Sequence, residues 1–298
     1  MKYYFIINPA AGKSKRKNKF LKDVKSVCKA QNVKYELYFT QNAGDAIQFV
    51  KSHADEESCF FACGGDGTVN EVINGIATLK NVQFGVIPIG SGNDFIRTFG
   101  YCSDFVNISK QLNAKTVPID LITCNGQYSV NVLNLGFDCD VCRDANRLKE
   151  HSIITNKLSY IMGVVMNFVR KMGFKAKIFI DGMEIPQREF LLCAIGNGQY
   201  YGGGFRALPR AKVSDGKLDV CLVDMVPRLK FIQVIPSYKK GKHYLNPKYE
   251  QFIHCYSCES LKIVPEKRMD ICYDGEIVSF DEFDIHVVPG AIQFRLPV

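Results

Sequence analysis

Cys59-Phe60-Phe61-Ala62-Cys63-Gly64-Gly65-Asp66-Gly67-Thr68-Val69-Asn70-Glu71 is the stretch on which the fold turns. Its first five residues are apolar, the length of a fully buried strand. Gly64, Gly65 and Gly67 follow. Val69, Val72, Ile73 and Ile76 then recur at i, i+3, i+4 and i+7, the spacing of a buried helix face. Strand, glycine loop and helix together form the repeating unit of a parallel α/β sheet. Thr68 and Glu71 have the spacing of a capping box, so the helix is expected to start at Thr68. Glycines let backbone N–H groups approach a ligand closely, and a helix start favours negative charge. A phosphate is the natural occupant. Asp66 would repel it, so an Asp here points to a metal–phosphate site rather than a simple anion cradle. The plain alternative is a strand–turn–helix connection with no ligand.

The same alternation extends outward through the first 125 residues. Strands are expected at Tyr3–Ile7, Lys34–Phe39 and Phe84–Ile89, with helical patterns over Phe20–Ala30 and Ala43–Ser52. Two more loops follow apolar strands. One is Asn8-Pro9-Ala10-Ala11-Gly12-Lys13-Ser14, and the other is Gly90-Ser91-Gly92-Asn93-Asp94-Phe95. In an open parallel sheet such loops line one crevice at the strands' C-terminal ends. Gly12-Lys13-Ser14 is not a Walker A loop, because that motif needs a glycine five residues earlier and position 7 is Ile.

Beyond residue 125 the pattern changes. Short strands are expected at Tyr128–Leu135, Lys175–Ile180, Phe190–Ile195, Leu218–Val223, Ser260–Val264, Asp270–Tyr273, Phe283–Val288 and Ala291–Leu296. Turn signals such as Asp181-Gly182 and Asp274-Gly275 punctuate them, which indicates an antiparallel β domain. One helical stretch near 155–172 interrupts it. The reading is therefore two domains, 1–125 and 126–298.

With 298 residues, 47% hydrophobic and 23% charged, the chain is not disordered, collagen-like or of low complexity. Its net charge of +8 is concentrated: residues 1–51 hold 11 Lys/Arg and 3 Asp/Glu, and the remainder balances at 27 and 27. This basic segment either meets something anionic or is a solvated helix face. No stretch reaches the ~18–20 apolar residues that span a bilayer, and the start carries no export pattern. A cytoplasmic setting with reduced thiols is expected.

The 12 cysteines include two CxxC pairs, Cys139/Cys142 and Cys255/Cys258. Paired CxxC units can hold zinc, but 112 residues separate these, and buried thiols are the simpler reading. Leu158, Ile161, Met162, Val165, Met166 and Val169 have helical spacing, with Arg170 and Lys171 following. A helix packed on a sheet looks like this, and so does one lying on a membrane surface. Lys239-Lys240-Gly241-Lys242-His243 is a second basic stretch suited to acidic head groups.

Taken together and in this order, Asn8–Gly12, Gly64–Glu71 and Gly90–Phe95 resemble the diacylglycerol kinase catalytic-domain family, in particular its soluble bacterial lipid kinases. The resemblance continues through Val117–Leu121, Asn134–Asp138, Asn197-Gly198, Gly202–Gly204, Ser214–Asp219 and Asp274-Gly275-Glu276, nearly the whole chain. It implies a Rossmann-like ATP-binding domain over 1–125 and an antiparallel β-sandwich over 126–298, with a lipid entering between them. It also implies an ATP- and Mg2+-dependent kinase acting on diacylglycerol, at the membrane surface and without nucleic acid. A phosphatidylglycerol or sphingoid-base kinase and an NAD kinase are the alternatives; a homodimer stays open.

Carried over by position, Asn8, Pro9, Ala10, Ala11, Gly12, Thr40, Gly64, Gly65, Asp66, Gly67, Thr68, Val69, Asn70, Glu71 and Ser91 would contact the nucleotide. Asp274, with Glu276, would supply the general base, and Asp66 would join the catalytic set. Lys212, Asp215 and Lys217 would form a magnesium site, the lysines through their carbonyls. On residues alone Asp274-Gly275 reads as a hairpin turn, like Asp181-Gly182. Asp94 and Arg97 would either order the cleft with Asp120 and Asp138 or form a helix cap and surface ion pair. Lys13, Lys15, Arg16 and Lys17 would neutralise phosphates or meet an anionic surface. Many members of the family carry on into a short final helix after the strand that here runs into Leu296-Pro297-Val298.

Overall fold

The computed structural model describes residues 1–297 except 13, 56, 81, 101–102, 152–155, 170–171 and 187. The first half runs β1 (Lys2–Ile7), α1 (Ser14–Ala30), β2 (Lys34–Phe39), α2 (Asp45–His53), β3 (Ser58–Gly64), α3 (Asp66–Ile76), β4 (Gln83–Pro88), α4 (Asp94–Arg97) and α5 (Ile108–Leu112). The order β4-β3-β1-β2 is parallel throughout. Register is what assembles the crevice. Ile7 lies opposite both Phe39 and Cys63, and Cys63 opposite Ile87, so all four strands end on one line.

Both faces of this sheet are covered, which is why its strands are almost wholly apolar. Tyr3, Phe5, Ile7, Cys59, Phe61 and Cys63 point to one side, against Phe20, Val24 and Cys28 of α1 and Ile108 and Leu112 of α5. Tyr4, Ile6, Phe60 and Ala62 point to the other, against α2 and α3. Helix α3 buries Val69, Val72, Ile73 and Ile76, the face that the spacing predicts. It starts two residues earlier than expected, at Asp66, and its N-cap is Gly65 with no side-chain hydrogen bond. The Thr68–Glu71 capping box does not form. Glu71 turns away to accept the Ala46 N–H of α2 at 3.2 Å, because the glycine loop already carries the chain into the helix.

The second half adds β5 (Lys115–Cys124), β6 (Gln127–Ser129), β7 (Val132–Gly136), α6 (Phe137–His151), α7 (Asn156–Val169), β8 (Phe174–Ile180), β9 (Met183–Glu184) and β10 (Arg188–Gly196). It continues with β11 (Leu218–Asp224), α8 (Arg228–Lys239), β12 (Ile253–Cys258), β13 (Ser260–Pro265), β14 (Met269–Tyr273), β15 (Glu276–Phe280) and β16 (Phe283–Leu296). Antiparallel pairs β14-β7-β10-β11 and β8-β13-β16-β5 bring their inner faces together over Leu133, Leu135, Ile178, Cys193, Val220, Leu222, Ile263, Ile271 and Ile285. This is a β-sandwich.

Several expectations need correction. Residues 128–135 are two strands, because Val130-Asn131 breaks the ladder. Helix α6 lies ahead of the anticipated helix, and α8 was not anticipated, since Pro236 sits inside it. The last two expected strands are one, β16, with an irregularity between Val288 and Ile292. Its first part pairs with β13 and its last part, through Gln293 and Phe294, runs parallel to β4. One strand thus belongs to both halves. Among the described residues no helix is long and apolar enough to cross a membrane.

Candidate active site

The crevice is built by three loops pressed together. Gly90 donates its N–H to the Gly64 carbonyl at 2.9 Å. A Cβ on Gly90 would come within 2.4 Å of the Gly65 Cα, and one on Gly12, at φ +73, within 2.4 Å of the Ile89 carbonyl oxygen. Only glycine allows backbones this close. Asn8 anchors the first loop: its N–H donates to Cys63 at 3.3 Å and its Oδ1 accepts from Ala10 at 2.9 Å. Pro9, Ala10, Gly12 and Ser91 are exposed along the rim, and Thr40 is half-buried, its N–H on the Ile7 carbonyl at 3.0 Å. Asn8 through Gly12, Thr40, Gly64 through Glu71 and Ser91 therefore meet at one sheet edge, although Thr68 and Val69 face inward. First-turn N–H groups of α3 have no helical acceptor, which suits an anion.

Asp66 sits at the floor. Its Oδ1 accepts the Asp94 N–H at 2.7 Å, and its Oδ2 fills the space where a Cβ on Gly92 would stand, 2.3 Å away. Burial, then the charge of Asp94, pushes the Asp66 carboxyl up to about 7. Burial also raises Asp94, against the Gly203 N–H at 2.7 Å and Arg97 at 3.1 Å. Asp94 thereby ties the third loop to the turn at 201–204. The wider acid–base network divides in two. Asp138 joins the same turn through the Tyr201 hydroxyl, and burial raises its carboxyl to about 6. Asp120 instead holds Gly216 and Gly290, each N–H at 2.8 Å, so it shapes a different loop.

Asp274 reaches the crevice from the sandwich. It occupies the left-handed region at φ 48, in the turn between β14 and β15. Its Oδ1 accepts the Val132 N–H at 3.0 Å; its Oδ2 accepts from the Ser129 hydroxyl at 2.8 Å and from Asn70 of α3 at 3.3 Å. Burial pushes this carboxyl up, and those hydrogen bonds hold it down. Glu276 is exposed, with Oε1 at 3.7 Å from a Cβ position on Gly67. Asp66, Asp274 and Glu276 thus gather around the start of α3. Ser129 escaped the sequence reading, and no local signal marks it, since its partner lies 145 residues away.

Asp215 and Lys217 share one turn, the Lys217 N–H donating to Asp215 Oδ1 at 3.2 Å. Lys217 Nζ pairs with Glu259 at 2.7 Å, and Lys212 is exposed. Burial first, then the charge of Asp215, raises the neighbouring Asp219 carboxyl to about 6. This turn borders a surface hollow of about 780 Å³ along the sandwich flank, away from the glycine loops.

The basic segment splits in the structure. Arg16 donates to the Pro88 carbonyl at 3.1 Å and Lys17 to the Pro9 carbonyl at 2.6 Å, so both brace the loops. Lys19, Lys22, Lys25 and Lys29 lie on the exposed face of α1. Lys13 and the Lys15 side chain lie outside the described residues, as do Arg170, Lys171 and the side chains of Leu158, Ile161 and Val169. The CxxC pairs do not converge. Cys258 is buried in the sandwich core while Cys255, three residues earlier on the same strand, faces the opposite side. Cys142 meets Cys272 instead, Sγ to Sγ 3.5 Å.

Residues 2–124 match the family model of the diacylglycerol kinase catalytic domain, and residues 131–295 that of the YegS C-terminal NAD kinase beta sandwich-like domain. Over 276 residues the chain is 28% identical to a protein named "Putative lipid kinase" from Staphylococcus aureus (strain Newman), a match that spans 90% of this chain and 87% of that one. The crystal structure of "a putative diacylglycerol kinase" from Bacillus anthracis str. Sterne superposes with a TM-score of 0.77 at 25% identity, covering 99% of this chain and 97% of that chain. An NAD kinase from Archaeoglobus fulgidus in complex with ATP gives 0.52 at 12% identity over 100% and 94%, a likeness of fold alone. Glycine loops, sandwich and both matches lead to one assignment: this chain belongs to the diacylglycerol kinase catalytic-domain family, in the branch that carries the YegS-type C-terminal sandwich.

Proposed function

We propose that the chain is an ATP- and magnesium-dependent lipid kinase whose acceptor is the hydroxyl of diacylglycerol and whose product is phosphatidic acid. The observation that carries this reading is the Asn70–Asp274 hydrogen bond at 3.3 Å. It sets a carboxylate from the sandwich against the helix that begins in the phosphate-type loop. A donor nucleotide and an acceptor hydroxyl then share one cleft. Asn8 to Gly12, Thr40, Gly64 to Glu71 and Ser91 would hold ATP, and their close-packed glycines leave backbone N–H groups for its phosphates.

Phosphoryl transfer depends on positioning and charge more than on covalent help. The Ser129 hydroxyl and the Val132 N–H orient Asp274. Asp274 takes the proton of the lipid hydroxyl while that oxygen bonds to the γ-phosphorus and the bond from phosphorus to the β–γ bridging oxygen breaks. ADP leaves, and solvent later takes the proton. Exposed Glu276, beside Gly67, adds a second carboxylate at the phosphate side. Magnesium, when bound, neutralises phosphate charge. Asp66 fits it, because a carboxyl crowded by Asp94 gains a counter-ion. A second magnesium would be held at Asp215 with the carbonyls of Lys212 and Lys217, relieving the repulsion between Asp215 and Asp219.

The kinase would work at a membrane surface, on the cytoplasmic side, without nucleic acid. Met162 and Val165 on α7 and Leu229 and Ile232 on α8 are exposed, Leu229 at 77%, and Lys230 and Lys239 lie on the same helix as the last two. Apolar side chains flanked by cations suit an anionic bilayer. A test incubates the protein with labelled ATP, magnesium and a lipid panel in mixed micelles. Labelled diacylglycerol supports the proposal. Labelling of phosphatidylglycerol or a sphingoid base replaces the acceptor, NAD-dependent turnover favours an NAD kinase, and no labelling overturns the reading.

A further inference from the structure

We infer that Cys221, His243 and Cys255 form a Cys2His site for a borderline-soft divalent metal, zinc foremost, on the face of the sandwich that α8 covers. The site is independent of the kinase reading. Cys221 on β11 and Cys255 on β12 are direct cross-strand partners, so their side chains leave the sheet on the same side. The chain then returns from α8 through Gly241, at φ +66, and lays His243 over them. His243 Nε2 is 3.9 Å from Cys221 Sγ, and the three potential ligand atoms all lie within 4.8 Å of one another. Tetrahedral zinc, with Zn–S about 2.3 Å and Zn–N about 2.0–2.1 Å, sets ligand atoms roughly 3.6–3.8 Å apart. A contraction of about 1 Å or less would close the shell.

The donor set selects the metal. Two thiolates and an imidazole favour zinc or cobalt over magnesium, which wants oxygen. The imidazole is held in place for this. His243 is 1% exposed, and Nε2 is the nitrogen it turns to Cys221, so a metal would be held through Nε2. Cys255 is exposed, so the fourth position opens to water. Both sulfurs ligate as thiolates, so a thiol proton still held there leaves to solvent on binding.

The neighbourhood gives such a site structural reach. Tyr238 packs against His243 with ring centroids 4.7 Å apart and the planes tilted by 41°, and its hydroxyl is 3.3 Å from that of Tyr201. Tyr201 in turn bonds Asp138, and the same turn supplies the Gly203 N–H to Asp94. A metal here would staple the exit of α8 to the sheet that carries this turn.

The test uses full-length, untagged protein, reduced and then exchanged against zinc or cobalt(II). One equivalent of zinc by elemental mass spectrometry is expected, together with a near-ultraviolet sulfur-to-cobalt charge-transfer band. Cys255→Ser, at an exposed position that circular dichroism can confirm as folded, is expected to weaken cobalt binding at least about ten-fold and diminish the band. Cys142→Ser removes a thiol of the separate Cys142–Cys272 pair and should change neither. A wild-type protein without the band, a Cys255→Ser variant that binds as tightly as wild type, or a Cys221–Cys255 disulfide in the reduced preparation each overturns the assignment.

Discussion

Asp66 is held in a position that opposes its own charge. Burial and the charge of Asp94 raise its carboxyl to about 7, against about 3.9 for a free aspartate. Between those values the folded chain keeps a proton that the unfolded chain has lost, so this group lowers stability as pH rises from about 4 to about 7. Asp66→Asn removes the penalty and keeps an acceptor for the Asp94 N–H. Calorimetry should find it melting higher than wild type by a few degrees near pH 8, with the gain vanishing toward about pH 4, while lipid phosphorylation is lost. A lower melting temperature at pH 8 would contradict the account. Asp274→Asn is expected to reduce kcat by about 10²–10⁴-fold with little change in melting; intact phosphorylation would remove Asp274 as the base. The sequence shows Asp66 to be odd, because a charge in a glycine loop stands out. It cannot distinguish Asp274 from Asp181. Both begin an Asp-Gly turn, at φ 48 and 47. Asp181 spends its carboxylate on Glu259 and Ser260 N–H groups, whereas Asp274 faces Asn70, 204 residues away.

Elements were legible where local pattern and packing agree. The apolar runs of β1, β3 and β4 and the i, i+3, i+4, i+7 face of α3 follow from burial on two sides and on one. Strand β5 was not: Pro118 and the charged Lys115 and Asp120 interrupt its apolar pattern, and its long-range pairing with β16 makes it a strand. The glycine contact between the second and third loops belongs to this scale. Gly90→Ala puts a methyl group against the Gly65 backbone, which cannot rotate aside, and should destabilise the fold by about 1–3 kcal/mol in urea melts and weaken ATP binding in titration calorimetry. Helix α8 offers the complementary case. Leu229 and Ile232 are 77% and 49% exposed and contribute little to the core. Leu229→Asp with Ile232→Asp should leave melting within about 1 kcal/mol of wild type but reduce sedimentation with anionic vesicles. Unchanged vesicle binding would remove α8 from the docking surface.

At the scale of the whole molecule the two halves are joined by a strand whose two pieces the local pattern announces separately, without their continuity or their partners. Strand β16 leaves β13 after His286, passes an irregularity between Val288 and Ile292, stays paired with β5 to Leu296 and ends beside β4. Its anchor is Arg295, 5% exposed in a core of apolar neighbours. A charge that deeply buried must be fully partnered. Arg295 Nε donates to the Gln111 carbonyl at 2.9 Å and Nη2 to the Leu112 carbonyl at 2.7 Å, both at the end of α5, while Nη1 pairs with Gln83 at the start of β4. The guanidinium therefore stitches the last strand to the α5 side of the nucleotide half. Arg295→Met keeps much of the apolar stem but strands two carbonyls that now have a charged donor. At roughly 1.5–3 kcal/mol for such bonds, the loss should be about 3 kcal/mol. In a chain of this size that corresponds to a fall of about 6 °C in melting temperature. Because β16 and the Asn70–Asp274 contact bind both halves, wild type should melt in a single calorimetric transition. The variant should either melt earlier as one unit or separate into two steps, the parallel half first. An unchanged single transition would show that the halves are held together elsewhere.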